Sequence, residues 1–317
     1  MKAVWLEDGN VALRPDVAVP EPPPGEALIE ITHAGICSTD HGLIRGMYPF
    51  TGIPGHEFVG RVREGPDSLV GHNVVGVISA SCGTCETCRA GRTSHCPTRT
   101  VLGIERRNGV FAEFAALPIQ NLWVVPESVS PDLAVFTEPL AAALEILEQV
   151  HIRPTDRVLL VGPGKLGQLV ARVLHLMPCE LTVAARSARA IERLPEEVPT
   201  VRPDRVPAAA FDVVIECTGN AEGFAIARQA IRPAGTLVLK STHGSDTPFD
   251  MTMAVVDEIT VIGSRCGPFA PALRMLGDGR IDPSDLIDEV FPLDDALEAL
   301  DVSQQSGVFK VILRCGD

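Results

Sequence analysis

The strongest constraint on the fold is six residues long. Gly162-Pro163-Gly164-Lys165-Leu166-Gly167 directly follows an apolar run, Arg157-Val158-Leu159-Leu160-Val161. It opens a segment, Leu166 to Met177, with helical spacing. A GxGxxG is informative when a strand precedes it and a helix follows. The first glycine permits the tight turn, the second lets backbone approach a pyrophosphate, and the third lets helix pack on strand. The phosphates then lie at the positive end of the helix. Gly162, Gly164, Lys165, Leu166 and Gly167 are therefore candidate phosphate-binding residues. The alternative is a glycine-rich turn in an unrelated α/β sheet, and the flanking strand and helix argue against it.

The pattern continues downstream. Apolar runs at 181–185, 211–215, 236–239 and 259–262 read as strands, with helical spacing at 221–232 between the second and third. Glu138 to Val150 precedes them with Leu140, Leu144, Leu147 and Val150 on one side of a helix. Strands alternating with helices imply a doubly wound parallel sheet. The first third differs. Short apolar runs around Val17 to Pro24, 27–31, 58–62, 74–78 and 111–115 are broken by Pro and Gly, as in a small barrel-like β domain. With 317 residues, two domains are expected. The expected division is 1–137 with 268–317, and 138–267. The tail is read as one helix, Asp294 to Val302, and a last strand, Phe309 to Leu313, returning to the first domain.

Composition removes several function classes. The net charge is −14 with no Lys/Arg-rich run, which excludes a nucleic-acid binder. No apolar stretch approaches the roughly 18 residues of a membrane span. The first eight residues carry charges where a signal peptide needs an apolar run, so a cytoplasmic chain is expected. Aromatics are only 4% of residues, so the cores must be aliphatic.

Four of the nine cysteines fall between 82 and 96. Cys82, Cys85, Cys88 and Cys96 form C-x2-C-x2-C-x7-C, whose short turns bring sulfur pairs to one ion. Structural zinc is the favoured occupant. An iron–sulfur cluster also uses four cysteines, and a redox or disulfide role is the poorer alternative. Four thiolates close a zinc site, so it does no chemistry. A second, dispersed set is Cys37, His56, Glu57 and Glu138. Taken singly, a Cys is usually a small core hydrophobe. Here the surroundings are Gly35-Ile36-Cys37-Ser38-Thr39-Asp40, Gly55-His56-Glu57 and Thr137-Glu138-Pro139-Leu140-Ala141.

The end of the second strand of the α/β region reads Ala184-Ala185-Arg186-Ser187. An NAD site places a carboxylate there for the ribose hydroxyls. Ala185 offers none, and Arg186 with Ser187 can receive a 2′-phosphate, so NADP is favoured over NAD. Otherwise Arg186 is a surface residue or stacks on adenine. Thr218, Ser241 and Arg265 follow later strand ends, where such sheets bind ligands.

In chain order, GICSTD, GHE, the four-cysteine loop, TEPLA and VGPGKLG resemble the zinc-containing medium-chain dehydrogenases, over essentially the whole chain. The resemblance implies a GroES-like catalytic domain with a zinc lobe at 82–96, a Rossmann NAD(P)-binding domain, and a catalytic zinc in the cleft. It implies two zinc ions per chain, a small alcohol or carbonyl substrate, and a homodimer or homotetramer. By the same match Cys37 and His56 are zinc ligands, with Glu138 ranked ahead of Glu57 as the third. Thr39 relays the alcohol proton, and Asp40 accepts from the second nitrogen of His56. Glutamate at 138 resembles the polyol, glucose and threonine branches, so a polyol or sugar-like secondary alcohol is expected. The chain departs from the family in being short, in having Gly42 where a proton-relaying His is frequent (His41 comes one place early), and in carrying Lys240 where small residues are usual. A rival of another class is a non-catalytic, zinc-stabilised cofactor-binding protein, which needs only the four-cysteine zinc.

Overall fold

The computed structural model describes residues 1–242 and 247–316. They form two compact units, Met1–Glu138 with Phe269–Asp317, and Pro139–Pro268.

In the first unit a largely antiparallel sheet is built around Glu26–Gly35, which pairs with Glu57–Glu64, Phe114–Pro118 and Lys310–Arg314. Alternation along this strand explains its place. Ala27, Ile29 and Ile31 are fully buried, in a core with Phe111, Leu117, Val311 and Leu313. A bidentate pair between Arg107 and Glu26, at 2.7 and 2.6 Å, ties the short strand Arg106–Arg107 of a separate three-stranded sheet to it. Two ends of the cysteine loop are tied by antiparallel pairing, Ser79 with Val101 and Ala80 with Thr100.

The second unit holds six parallel strands in the order Thr200–Val201, Glu180–Ala184, Arg157–Val161, Phe211–Glu216, Ile231–Leu239, Thr260–Gly263. Read by sequence rank this is 3-2-1-4-5-6, the dinucleotide-binding order. Val158, Leu159 and Leu160 are fully buried, as a strand covered on both faces requires. The helix Lys165–His175 follows the first strand and buries Leu169, Val170, Val173 and Leu174.

Several local expectations shift. The run from Val17 to Pro24 forms no strand, and the strand expected at 111–115 lies at Phe114–Pro118. A hairpin of Ala3–Glu7 with Asn10–Arg14 opens the chain. The tail has two helices, Phe269–Gly277 and Ala296–Ser303, and two strands, Ile287–Pro292 and Lys310–Arg314. Among the described residues no helix is long and apolar enough to cross a membrane.

Candidate active site and dinucleotide turn

Strand Glu26–Gly35 delivers the chain to Cys37, which caps the helix Ser38–Ile44. The antiparallel neighbour Glu57–Glu64 begins just after His56. Pairing of Gly35 with Glu57 therefore brings the two segments side by side. Ligand atoms of Cys37, His56 and Glu57 all lie within 4.8 Å of one another. Gly35 makes room for this. A Cβ there would stand 2.5 Å from the Glu57 carboxylate and 2.6 Å from Val135.

Asp40 joins the two segments. It is fully buried. One carboxylate oxygen accepts from the backbone N–H of Cys37 at 2.8 Å, and the other lies 3.3 Å from His56 Nδ1. This orientation leaves Nε2 of His56 as the ligand atom. Burial works against a charge on His56, but Asp40 and the Cys37 sulfur outweigh it and hold its pKa well above 6.5. A half-buried thiol with a buried imidazole and carboxylate so arranged is a donor set that zinc accepts, with His56 steadied from behind by a carboxylate. Thr39 is half-buried, its hydroxyl 3.8 Å from the Cys37 sulfur.

Of the two glutamates, Glu57 belongs to this group, whereas Glu138 stands outside it, half-buried in the first turn of Thr137–Gln149. Lys310, unnoticed in the sequence, is also here. Its buried ammonium donates to Glu57 Oε2 and stands 5.4 Å above the Phe136 ring. Burial opposes that charge, yet Glu57, the Cys37 sulfur and Glu138 raise its pKa above 10.5. His41 turns elsewhere. Its Nε2 lies 2.8 Å from Ser303 Oγ, which itself donates to the Leu300 carbonyl. Ser303 therefore accepts, and His41 Nε2 carries the proton.

The four sulfurs of Cys82, Cys85, Cys88 and Cys96 lie within 4.8 Å of one another. Four of the separations are 3.4, 3.6, 3.9 and 4.0 Å. A tetrahedron with zinc–sulfur bonds of about 2.3 Å has edges of about 3.8 Å, so the loop fits the ion. Hydrogen bonds from the Thr84 and Cys85 backbone pull the Cys82 thiol down to about 5, while burial pushes Cys88 up to about 11.

In the second unit the dinucleotide turn has the required shape. Gly162 has φ +92°, and Gly167 packs so closely that a Cβ would meet the Gly162 carbonyl oxygen at 2.1 Å. Gly164 caps the helix with open space before it. Lys165 and Leu166 are half-buried in the first turn. Gly162, Thr218 and Arg186 line one hollow together with Ala185, Asn220 and Glu222. Ser187 caps the short helix after it, accepting from Ala190 N–H at 3.4 Å. Ser241 faces a different hollow, beside Glu216 and Phe249, and Arg265 is exposed with Nη1 3.4 Å from the Cys266 sulfur. Lys240 is buried and donates to the Ala142 carbonyl and to Ser264 Oγ, at 2.6 and 3.1 Å. Sequence order leaves the end of the second strand without a carboxylate, yet the fold supplies one. Arg186 Nη1 donates to both carboxylate oxygens of Glu222, each at 3.2 Å.

These features have counterparts in known proteins. Residues 23–127 match the alcohol dehydrogenase GroES-like domain. The chain is 29% identical to the erythritol/L-threitol dehydrogenase of Mycolicibacterium smegmatis, over 90% of each protein. It superposes with a TM-score of 0.88 on a protein of Sinorhizobium meliloti 1021 described as a zinc-binding dehydrogenase, bound to NADP, at 29% identity over 99% of this chain and 98% of the other. RspB of Escherichia coli CFT073, complexed with NADH, gives 0.89 at 26% identity over 99% of each. Over nearly its whole length the chain is similar to dehydrogenases of the medium-chain superfamily. It is an oxidoreductase of the alcohol dehydrogenase type, with a GroES-like domain and a Rossmann-like sheet.

Proposed function

We propose that the chain is a zinc-dependent dehydrogenase that oxidises a polyol or sugar-like secondary alcohol, or reduces the matching carbonyl, with NAD(P). The observation that carries this reading is the convergence of half-buried Cys37 with buried His56 and Glu57, with Asp40 touching both ligand-bearing segments. The unit containing residues 1–138 is the catalytic domain in this proposal, and the unit containing 139–268 binds the dinucleotide.

Cys37, His56 and a glutamate would hold a zinc ion, which would supply Lewis-acid stabilisation of the charge that develops on the substrate oxygen. Asp40 accepts from Nδ1–H of His56, which directs Nε2 toward the metal position and raises its basicity as a ligand. The Thr39 hydroxyl, beside Cys37, takes the alcohol proton onward. His41 has no part in that path, because its Nε2–H is committed to Ser303. A second zinc in the four-cysteine loop is structural. Arg186 and Ser187 are the groups that would meet a 2′-phosphate, which favours NADP among the two cofactors. Ser187 can do so while capping its helix, because the cap uses its lone pair and leaves its O–H proton to donate.

The polyol assignment is supported by the M. smegmatis relative and by Glu138. Self-association as a homodimer or homotetramer is supported by Met251, Val255 and Val256, which are 66%, 73% and 68% exposed beside the edge strand Thr260–Gly263. A cytoplasmic setting fits the nine cysteines, none of which is in a disulfide.

The test is a screen of alcohols and polyols with both cofactors, on wild type and on Glu57→Gln and Glu138→Gln. Turnover with a secondary polyol is expected, and the variant that removes the third ligand loses both zinc and turnover. No turnover of any alcohol by zinc-replete protein overturns the reading and favours a binding-only protein.

A further inference from the structure

We infer that Glu222 sets the cofactor preference by acting on Arg186, a role that rests on the reading of the Gly162–Gly167 turn as a dinucleotide site. The two residues arrive from different elements. Arg186 stands just past buried Ala184, which ends the second strand, and buried Ala185, which follows it. Glu222 lies in the first turn of the helix Ala221–Ala230, after the Asn220 cap. Both border the hollow that contains Gly162 and Thr218. Within it the guanidinium is shared between two carboxylate oxygens at equal distance.

The pair is placed to exchange. Each side chain is 64% exposed, and exposed ion pairs are weak. An incoming 2′-phosphate is a second anion competing for the same guanidinium. It carries nearly two negative charges, and Arg186 binds such groups through paired donors. A phosphate drawn to Arg186 necessarily lands near Glu222, where like charges repel. Glu222 therefore subtracts from the NADP preference that Arg186 and the missing strand-end acid would otherwise give.

With NAD the same carboxylate has a favourable task. Nicotinamide dinucleotide sites use an acidic side chain to accept hydrogen bonds from the ribose hydroxyls. Ala185 occupies the usual place and offers nothing. Glu222 supplies acceptor oxygens to the same hollow from the next crossover, tethered by Arg186. The site thus carries one group for each cofactor, and Glu222 is a specificity-determining residue.

Fluorescence titration of the zinc-loaded protein with NADPH and NADH tests this without requiring turnover. At low ionic strength Glu222→Gln should tighten NADPH roughly five- to tenfold relative to NADH, with the gain shrinking as salt screens the repulsion. Arg186→Ala should weaken NADPH about tenfold more than NADH. Both residues are exposed, so Tm should stay at the wild-type value and report intact folding. If Glu222→Gln leaves the NADPH-to-NADH ratio within twofold of wild type, the inference fails while the dinucleotide reading stands. If wild type binds neither nucleotide, both fail together.

Discussion

The two cysteine-bearing sites of the first unit are built in opposite ways. Cys82, Cys85, Cys88 and Cys96 lie within 15 residues of chain, and the loop they form is tied at its base by a short antiparallel pairing. Cys37, His56 and Glu57 sit on two neighbouring segments, and the strand pairing that joins them also forms the core. The first site is local and uniform in chemistry, whereas the second needs the folded sheet and mixes thiol, imidazole and carboxylate. A local site of four identical ligands closes around its ion. A site assembled by tertiary structure can instead leave a position open and surround it with Asp40, Thr39 and Lys310, which tune the ligands. The contrast teaches where chemistry and where stability should be lost when each is damaged.

Loss of the dispersed site should have the largest effect. His56→Gln is expected to lower kcat about a thousandfold, the loss of several kcal/mol of charge stabilisation, with circular dichroism unchanged. Unchanged turnover in steady-state assays would break the comparison. Cys88→Ser should do the reverse, lowering Tm on the order of 10 °C through loss of the loop's zinc while any folded fraction keeps its specific activity. Asp40→Asn comes next. It keeps the shape but weakens the hold on His56, and zinc affinity in a chelator competition should fall about 10- to 100-fold. The loop's zinc should be unaffected in the same experiment.

The smallest effect concerns pH. In the metal-free protein His56 is held protonated well above pH 6.5, so zinc must displace a proton there at neutrality. Apparent affinity at the dispersed site should rise with pH up to the raised pKa, and fall by up to about tenfold per unit as pH drops below it. Asp40→Asn removes the carboxylate that raises this pKa, so the slope should begin at lower pH. A slope identical in wild type and variant would remove Asp40 from the account.

Much of this contrast follows from how far each feature reaches along the chain. The four-cysteine loop is legible because its spacing is its structure, and the GxGxxG turn because strand, turn and helix are consecutive. Cys37, His56 and Glu57 were recognisable only through their neighbours, and their convergence depends on the register that puts Gly35 opposite Glu57. Lys310 was not legible, since 253 residues separate it from Glu57 and the sequence around it reads as an ordinary terminal strand. Glu222 was missed for the same reason, lying 36 residues beyond Arg186. The helix Phe269–Gly277 escaped because Pro271 sits near its start, where a proline is tolerated although it reads as a breaker. The strand Ile287–Pro292 carries Asp288, Glu289 and a terminal proline, which hide its pairing with Lys310–Arg314.

The central claim is that the site at Cys37 and His56 is the metal site where turnover occurs and that the loop is not. The most direct test is metal analysis joined to a turnover assay on wild-type and Cys37→Ser protein. The account expects about two zinc ions per chain in the wild type and about one in the variant, with turnover lost and Tm nearly unchanged. A wild type without zinc, or a Cys37→Ser protein that keeps both zinc ions and its turnover, would contradict it.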